Sequence, residues 1–124
     1  MIFHITSKSE WKEAQQRGEY IAPSLGADGF IHCSTEKQVL HVANAFYRGQ
    51  NDLVLLELDE EKIGPEIKWE PPTGAPAMGI SDSDKFPHIF GPINLTAVAS
   101  VLDFEPDPAS GTFSLPSTLL SADN

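Results

Sequence analysis

The segment Leu53–Leu58 constrains the fold most, because five of its six residues are apolar and Asp52 and Asp59 bound it. A short apolar run between polar residues is typical of a strand. The lack of alternation indicates that both faces of this strand are buried. Other elements must therefore cover it from two sides. We predict that this segment is the central strand of a small sheet.

Further strand and helix signals flank this segment. Strands are predicted at residues 1–6, 30–34, 67–70, 86–90 and 97–104. Ser7 and Glu10 form a capping-box pattern ahead of a helix that ends near Gly18. A second helix is predicted from a cap at residue 34 or 35 to about residue 48, with its apolar face formed by Val39, Val42, Ala43 and Phe46. The pattern predicts an α+β fold, a small mixed or antiparallel sheet with two main helices.

The chain of 124 residues is long enough for one domain. We place a single α+β domain at residues 1–104 and a poorly ordered C-terminal tail at residues 105–124, where Pro, Ser, Asp and Gly dominate. Residues 19–29 and 71–85 are rich in Pro and Gly and are predicted to be loops. The second loop directly precedes the segment of His88, and we expect it to move as a lid over a cleft.

The acidic composition limits the classes of partner. The chain has 18 Asp and Glu against 8 Lys and Arg, a net charge of −10. Such a surface repels phosphate backbones, so no nucleic-acid partner is expected, whereas a small phosphate-bearing ligand is compatible. No apolar run approaches the roughly 20 residues of a membrane span, and no membrane partner is expected. A single cysteine and the absence of a basic, apolar leader predict a cytoplasmic protein.

Three of the four histidines lie in short apolar runs that are predicted to be strands. His4-x-Thr6 and His32-x-Ser34 repeat one pattern, and residues two apart in a strand point to the same face. Because imidazole titrates near neutrality, it can act as acid, base or hydrogen-bond donor. We predict one cleft lined by His4, His32 and His88. Within it, His32 and His88 are the candidate catalytic residues, and the candidate ligand-binding residues are His4, Thr6 and Ser34.

Other side chains have competing interpretations. A single histidine in an apolar strand is usually a core residue, and the repeated pattern favours a site over that alternative. Glu70, the carboxylate nearest to the predicted lid, is a further candidate ligand-binding residue, although a solvated carboxylate is the simpler interpretation. Cys33 points away from His32 by strand alternation, so we expect a buried, unreactive thiol. His41 lies on a polar helix face and has no predicted site role. The histidine spacings match no compact ligand motif, so no metal is expected.

Five segments in order carry a resemblance to a known family. They are His4-Ile-Thr6, Trp11, Gly29-Phe-Ile-His-Cys-Ser34, Asp52-Leu-Val-Leu-Leu56 and Phe86-Pro-His-Ile-Phe-Gly-Pro92. Together they resemble a small bacterial family known as domain of unknown function 952. The resemblance covers about residues 1–104 and implies a compact α+β fold, without assigning an activity.

The opening of the chain also resembles the ADP-ribosyltransferase superfamily, most closely its RNA 2′-phosphotransferase branch. The likeness lies in a His-x-Thr strand, a Trp-bearing helix, a glycine and a second strand with Ile-His. It implies an ADP-ribosyltransferase-like core in which His4 and Thr6 contact the ribose of NAD, with His32 close by. The chain departs from that branch in having only two arginines, Arg17 and Arg48. It also has His88 where relatives often carry a late glutamate.

The resemblance and the residues together favour binding of a small-molecule nucleotide, with NAD as the first candidate cofactor. As an enzyme, the protein would be an NAD-dependent transferase that positions the ribose and stabilises charge. Two alternatives stay open. One is a two-histidine phosphoesterase-like hydrolase, in which one imidazole is the base and the other the acid. The other is a non-catalytic module in which the histidines only hold a small ligand.

Overall fold

The fold is given by a computed structural model, which describes residues 1–72, 78–81 and 83–116. The strands are β1 (Ile2–Ser7), β2 (Glu19–Tyr20), β3 (Ile31–His32), β4 (Leu53–Leu58), β5 (Ile67–Glu70), β6 (Phe86–Ile89), β7 (Ile93–Asn94) and β8 (Val98–Phe104). The helices are α1 (Lys8–Arg17), α2 (Pro23–Asp28) and α3 (Glu36–Phe46), with 3₁₀ turns at Glu60–Lys62 and Leu95–Ala97. The fold is therefore α+β, as predicted.

The strands form three antiparallel sheets, with strand orders β1-β4-β8, β2-β7 and β3-β6-β5. The predicted central position of β4 is confirmed, because it pairs with β1 on one side and β8 on the other. The first and third sheets meet where the backbones of Phe3 and Ser34 exchange two hydrogen bonds of 2.8 Å. This junction places His4 on β1 next to the chain segment that carries His32.

The alternation of β4 divides the core into two apolar clusters. Val54, Leu56 and Leu58 pack on one face with residues of α1, β2, β3 and β6. Leu53 and Leu55 pack on the other face with α3 and β8. Both faces of the strand are thus buried, which explains its nearly continuous apolar sequence. Among the described residues, no helix is long and apolar enough to cross a membrane.

Side-chain caps fix the beginnings of α1 and α3. The Ser7 hydroxyl accepts a hydrogen bond from the Glu10 backbone N–H at 3.1 Å. Thr35 and Gln38 form a reciprocal capping box at α3. α3 ends at Phe46, about two residues earlier than predicted. The prediction that Phe46 faces the core is wrong, since the helix ends at this residue and its side chain is 62% exposed.

Residues 19–29, predicted to be a loop, contain β2 and α2 instead. Pro23 begins α2, where a missing N–H costs no helical hydrogen bond. Gly29 ends the helix at a φ of 85°, a conformation that glycine adopts without strain. β2 pairs with β7, and this pairing holds Tyr20 at the edge of the first sheet's core cluster.

The structure describes only part of the two segments that are predicted to be mobile. Residues 73–77 and 82 of the predicted lid, and residues 117–124 of the predicted tail, lie outside the described residues. Within residues 105–116, Phe113 is buried and stacks on Phe104 with ring centroids 4.7 Å apart. Its backbone N–H donates to the Asn44 side-chain oxygen at 2.7 Å. This part of the tail therefore packs on α3, an anchoring that its composition does not predict.

Candidate functional site

One cleft of about 560 Å³ is lined by residues of β1, β2, β3, β6 and the last turn of α3. Its volume lies within the range of small-molecule sites, about 300–1,000 Å³. His4, His32 and His88 all line this cleft, as do Thr6 and Ser34. The residues that sequence patterns grouped together are therefore neighbours in the fold.

His32 and His88 form a pair across neighbouring strands. They are directly opposite each other in the β3–β6 register. Their ring centroids lie 5.4 Å apart with an interplanar angle of 72°. Phe30 stacks on the His88 ring at 4.1 Å and also contacts His32. The stacking and the strand register together restrict both imidazoles.

Each of these two imidazoles is hydrogen-bonded to a carboxylate. His32 Nε2 donates to Asp28 Oδ2 at 3.0 Å, and His88 Nδ1 donates to Glu70 Oε1 at 2.9 Å. The second contact follows from the register, because Glu70 is opposite Phe86, two residues from His88 on the same face. The predicted Glu70 therefore contacts the site through His88 rather than by lining the cleft.

The carboxylates fix which ring nitrogen is available to a ligand. A carboxylate accepts, so the neutral His32 ring carries its proton on Nε2 and the neutral His88 ring on Nδ1. The opposite nitrogens, His32 Nδ1 and His88 Nε2, have no hydrogen-bond partner among the described residues. The His88 side chain is 2% exposed and that of His32 is 43% exposed. The pair thus offers one nitrogen on a largely buried ring and one on a partly exposed ring.

His4 occupies a different environment from the other two. Its Nδ1 donates to the His32 carbonyl at 2.6 Å, and its Nε2 contacts the Tyr20 hydroxyl at 2.7 Å. Burial lowers the pKa of His4 to about 4, with the bond to the His32 carbonyl opposing the shift. Both ring nitrogens are thus engaged within the protein. His4 holds the His32 backbone in place, and neither nitrogen is free for a ribose hydroxyl.

Thr6 is likewise engaged, through two residues that sequence patterns did not assign to the site. Its hydroxyl donates to Glu10 Oε2 at 2.8 Å and accepts from the Tyr20 hydroxyl at 2.9 Å. Burial raises the pKa of Tyr20. Glu10 was recognised only as a capping residue, and Tyr20 lay in a predicted loop. The one sequence signal for Tyr20 is its position two residues after Gly18, the glycine that ends α1.

Ser34 and Cys33 sit side by side on the cleft wall. Ser34 is 5% exposed and lines the cleft, where its hydroxyl makes no hydrogen bond with another described residue. Cys33 is 3% exposed and belongs to the apolar core cluster, as expected from alternation. Burial raises the pKa of the Cys33 thiol. Ser34 is therefore the hydroxyl available to a ligand, while Cys33 is a core residue.

Cys33 is expected to react with a thiol reagent only when the structure opens. The protonated thiol is a poor nucleophile, and its burial adds a steric barrier. Labelling of the native protein should be slow and should accelerate in urea. The matched comparison is Ser110→Cys, which adds a thiol on an exposed turn and should react rapidly. Equal labelling rates for the two thiols in the native variant would contradict a buried Cys33.

The fourth histidine, His41, lies outside this arrangement, in agreement with its position on a polar helix face. His41 is exposed and does not line the cleft. In the part of the chain that the structure describes, no group of three or more His, Cys, Asp or Glu side chains is arranged to hold a metal ion.

The comparisons with known proteins find a matching family model and solved structures of a similar protein, and their descriptions name no activity. Residues 5–101 match the family model described as protein of unknown function, DUF952. The crystal structure of protein CC0527 from Caulobacter crescentus is similar, with 33% identity, a TM-score of 0.80 and coverage of 96% of this chain and 97% of that chain. Its solution NMR structure has a TM-score of 0.71 at 33% identity and covers 88% of each chain. No curated protein sequence matches this chain.

Proposed function

The chain belongs to the DUF952 family, and from that premise we propose that its cleft binds a small ribose-containing nucleotide, with NAD as the first candidate. The observation that carries the proposal is a set of polar atoms that have no hydrogen-bond partner among the described residues and belong to residues of a cleft with apolar surroundings. Those atoms are Ser34 Oγ, His32 Nδ1 and His88 Nε2. A ribose requires closely spaced donors and acceptors, and a base requires apolar surface.

The apolar part of the cleft suits the base. Val42, Phe46 and Phe86 line it together with the histidines. Phe46 is largely exposed, so a planar ring that covers it removes apolar surface from water. This accounts for an exposed aromatic residue at the end of α3.

Charge also favours a ligand of this kind over a polyanion. Among the described residues that line the cleft, only histidines gain a positive charge on protonation. Asp28 and Glu70 hold the His32 and His88 rings in place through their hydrogen bonds. An imidazole can take up a proton to pair with the phosphate of a small ligand, whereas a chain of net charge −10 repels a long phosphate backbone.

In an ADP-ribosyltransferase-like site, His4 would act indirectly. Its bond to the His32 carbonyl fixes the strand that carries His32 and Ser34. The ribose would then contact His32, His88 and Ser34, while His4 and Thr6 position the wall behind them. Each protein hydrogen bond to the ligand is worth about 0.5–1.5 kcal/mol, more where a buried partner is left unpaired.

Titration calorimetry with NAD tests the proposal. His32→Ala and Ser34→Ala should each weaken binding by about 3- to 10-fold. His41→Ala removes an exposed histidine outside the cleft and should leave affinity unchanged. Absence of heat for the wild type at millimolar NAD, at two temperatures, would reject NAD. Equal affinities in all four proteins would place the ligand elsewhere.

A second candidate function follows from the two His–carboxylate pairs, whose imidazole ring centroids lie 5.4 Å apart. In hydrolysis of a 2′,3′-cyclic nucleotide, one imidazole would remove a proton from water as its oxygen attacks phosphorus. The other, protonated, would give a proton to the ribose oxygen as the P–O bond breaks. The same protein samples test this reaction. Turnover with a bell-shaped pH profile that loses one limb in His32→Ala would favour it, and binding without turnover would indicate a non-catalytic module.

A further inference from the structure

A continuous row of hydrogen bonds runs from the backbone of β3 to the side chain of Glu10 on α1. It begins at the His32 carbonyl and reaches His4 Nδ1 at 2.6 Å. From His4 Nε2 it continues to the Tyr20 hydroxyl at 2.7 Å and then to the Thr6 hydroxyl at 2.9 Å. It ends at Glu10 Oε2, 2.8 Å from the Thr6 hydroxyl. The imidazole–carboxylate hydrogen bonds of His32 and His88 are not part of this row, which uses only the backbone carbonyl of His32.

The row has one more hydrogen-bond contact than it has hydrogens to occupy these contacts. A carbonyl and an ionised carboxylate only accept, so the hydrogens must come from the imidazole and the two hydroxyls between them. A neutral imidazole, a tyrosine and a threonine each supply one. With Glu10 ionised and His4 neutral, one contact has no hydrogen. One added proton completes every contact of the row.

We propose that Glu10, Thr6, Tyr20 and His4 form a proton relay that takes up a single proton from the cleft. In one state the proton is on His4: Nε2 donates to Tyr20, Tyr20 donates to Thr6 and Thr6 donates to the ionised Glu10, in the directions described above for the two hydroxyls. In the other state these bonds are reversed: the Glu10 carboxyl group donates to Thr6, Thr6 donates to Tyr20 and Tyr20 donates to His4 Nε2. The relay goes beyond nucleotide binding, because it stores and moves a proton without any ligand.

The two ends of the relay differ in their surroundings. All four residues line the cleft, and Glu10 is the partly exposed end, whereas His4 and Tyr20 are buried. Burial disfavours the imidazolium form of His4, so the buried end of the row is its less favourable end for a proton.

The titratable neighbours of the relay are few. His32 of β3 faces His4, and its charge opposes protonation there. Tyr47, at the end of α3, and Cys33, after β3, face the Tyr20–Glu10 part of the relay as uncharged groups. Exchange with solvent or with a bound ligand therefore takes place at Glu10.

NMR titration of the complete chain tests the relay. The probes are the ¹⁵N signals of the His4 ring and the ¹³C signal of the Glu10 carboxyl group. Because one proton completes the whole row, both signals should change in a single step with one midpoint. Glu10→Gln supplies the missing hydrogen permanently through its amide N–H, so the step at His4 should disappear. Glu13→Gln changes an exposed carboxylate on the same helix and should leave the step unchanged.

Tyr20→Phe interrupts the row and should separate the two midpoints by more than about one pH unit or abolish the His4 response. Should this variant fail to fold, Glu10→Gln decides alone, since its side chain is partly exposed and the backbone cap of α1 is retained. A wild-type His4 signal that ignores the Glu10 titration would overturn the proposal. An unchanged His4 step in Glu10→Gln would do the same.

Discussion

Replacing Leu56 with alanine is expected to lower the free energy of unfolding by about 2–5 kcal/mol. Leu56 is fully buried in the middle of β4, where it is opposite His4 on β1 and Val101 on β8. Its side chain belongs to the apolar cluster beneath the cleft. Alanine removes apolar contacts and leaves a cavity that two flanking strands prevent from collapsing.

Urea unfolding of Leu56→Ala and the wild type measures this loss, with the m-value reporting whether the transition stays two-state. Val101→Ala is the matched comparison, because Val101 is opposite Leu56 in the sheet but is 39% exposed. Its cost should stay within about 1 kcal/mol. Similar losses for both variants would mean that β4 is not the buried centre of the sheet.

The elements that sequence patterns predicted are those whose signal is local. β4 carries an apolar run, and the first turns of α1 and α3 carry their own caps. The grouping of His4, His32 and His88 was predictable because strand alternation places each imidazole on a defined face. The β3–β6 register then brings His32 opposite His88. Short-range periodicity therefore accounts for most of the fold and for which histidines line the cleft.

The partners of those histidines were not predictable, because long-range pairing positions them. Tyr20 reaches His4 through β2, a strand of two residues whose only partner in the described sheets is β7. Two residues are too few to show a period. Asp28 reaches His32 because the turn at Gly29 ends α2 directly before β3. Because of such contacts, both ring nitrogens of His4 are hydrogen-bonded, whereas His32 and His88 each keep one nitrogen without a partner among the described residues.

Replacing Phe113 with alanine is expected to destabilise the protein by about 3–5 kcal/mol, as much as a core aromatic elsewhere. Phe113 lies in a segment dominated by Pro, Ser, Asp and Gly, yet its side chain is 6% exposed. It packs on Phe104 in the cluster that covers the second face of β4. Loss of the ring therefore opens the core beside α3.

The segment around Phe113 has no regular structure to hold it, so the aromatic ring and a few backbone contacts must do so. The Gly49 N–H donates to the Gly111 carbonyl at 3.0 Å, and the Arg48 guanidinium donates to the Ser110 carbonyl at 3.3 Å. Thermal and urea unfolding of Phe113→Ala should be compared with those of Ser114→Ala, since Ser114 is the exposed next residue and should change stability by less than about 0.5 kcal/mol. If the two variants are equally stable, residues 105–116 do not contribute to the core. A large loss of unfolding free energy in Phe113→Ala alone would instead mean that residues 105–116 complete the core on the second face of β4. Composition predicts disorder for this segment, but the burial of one aromatic ring outweighs the effect of the polar residues around it.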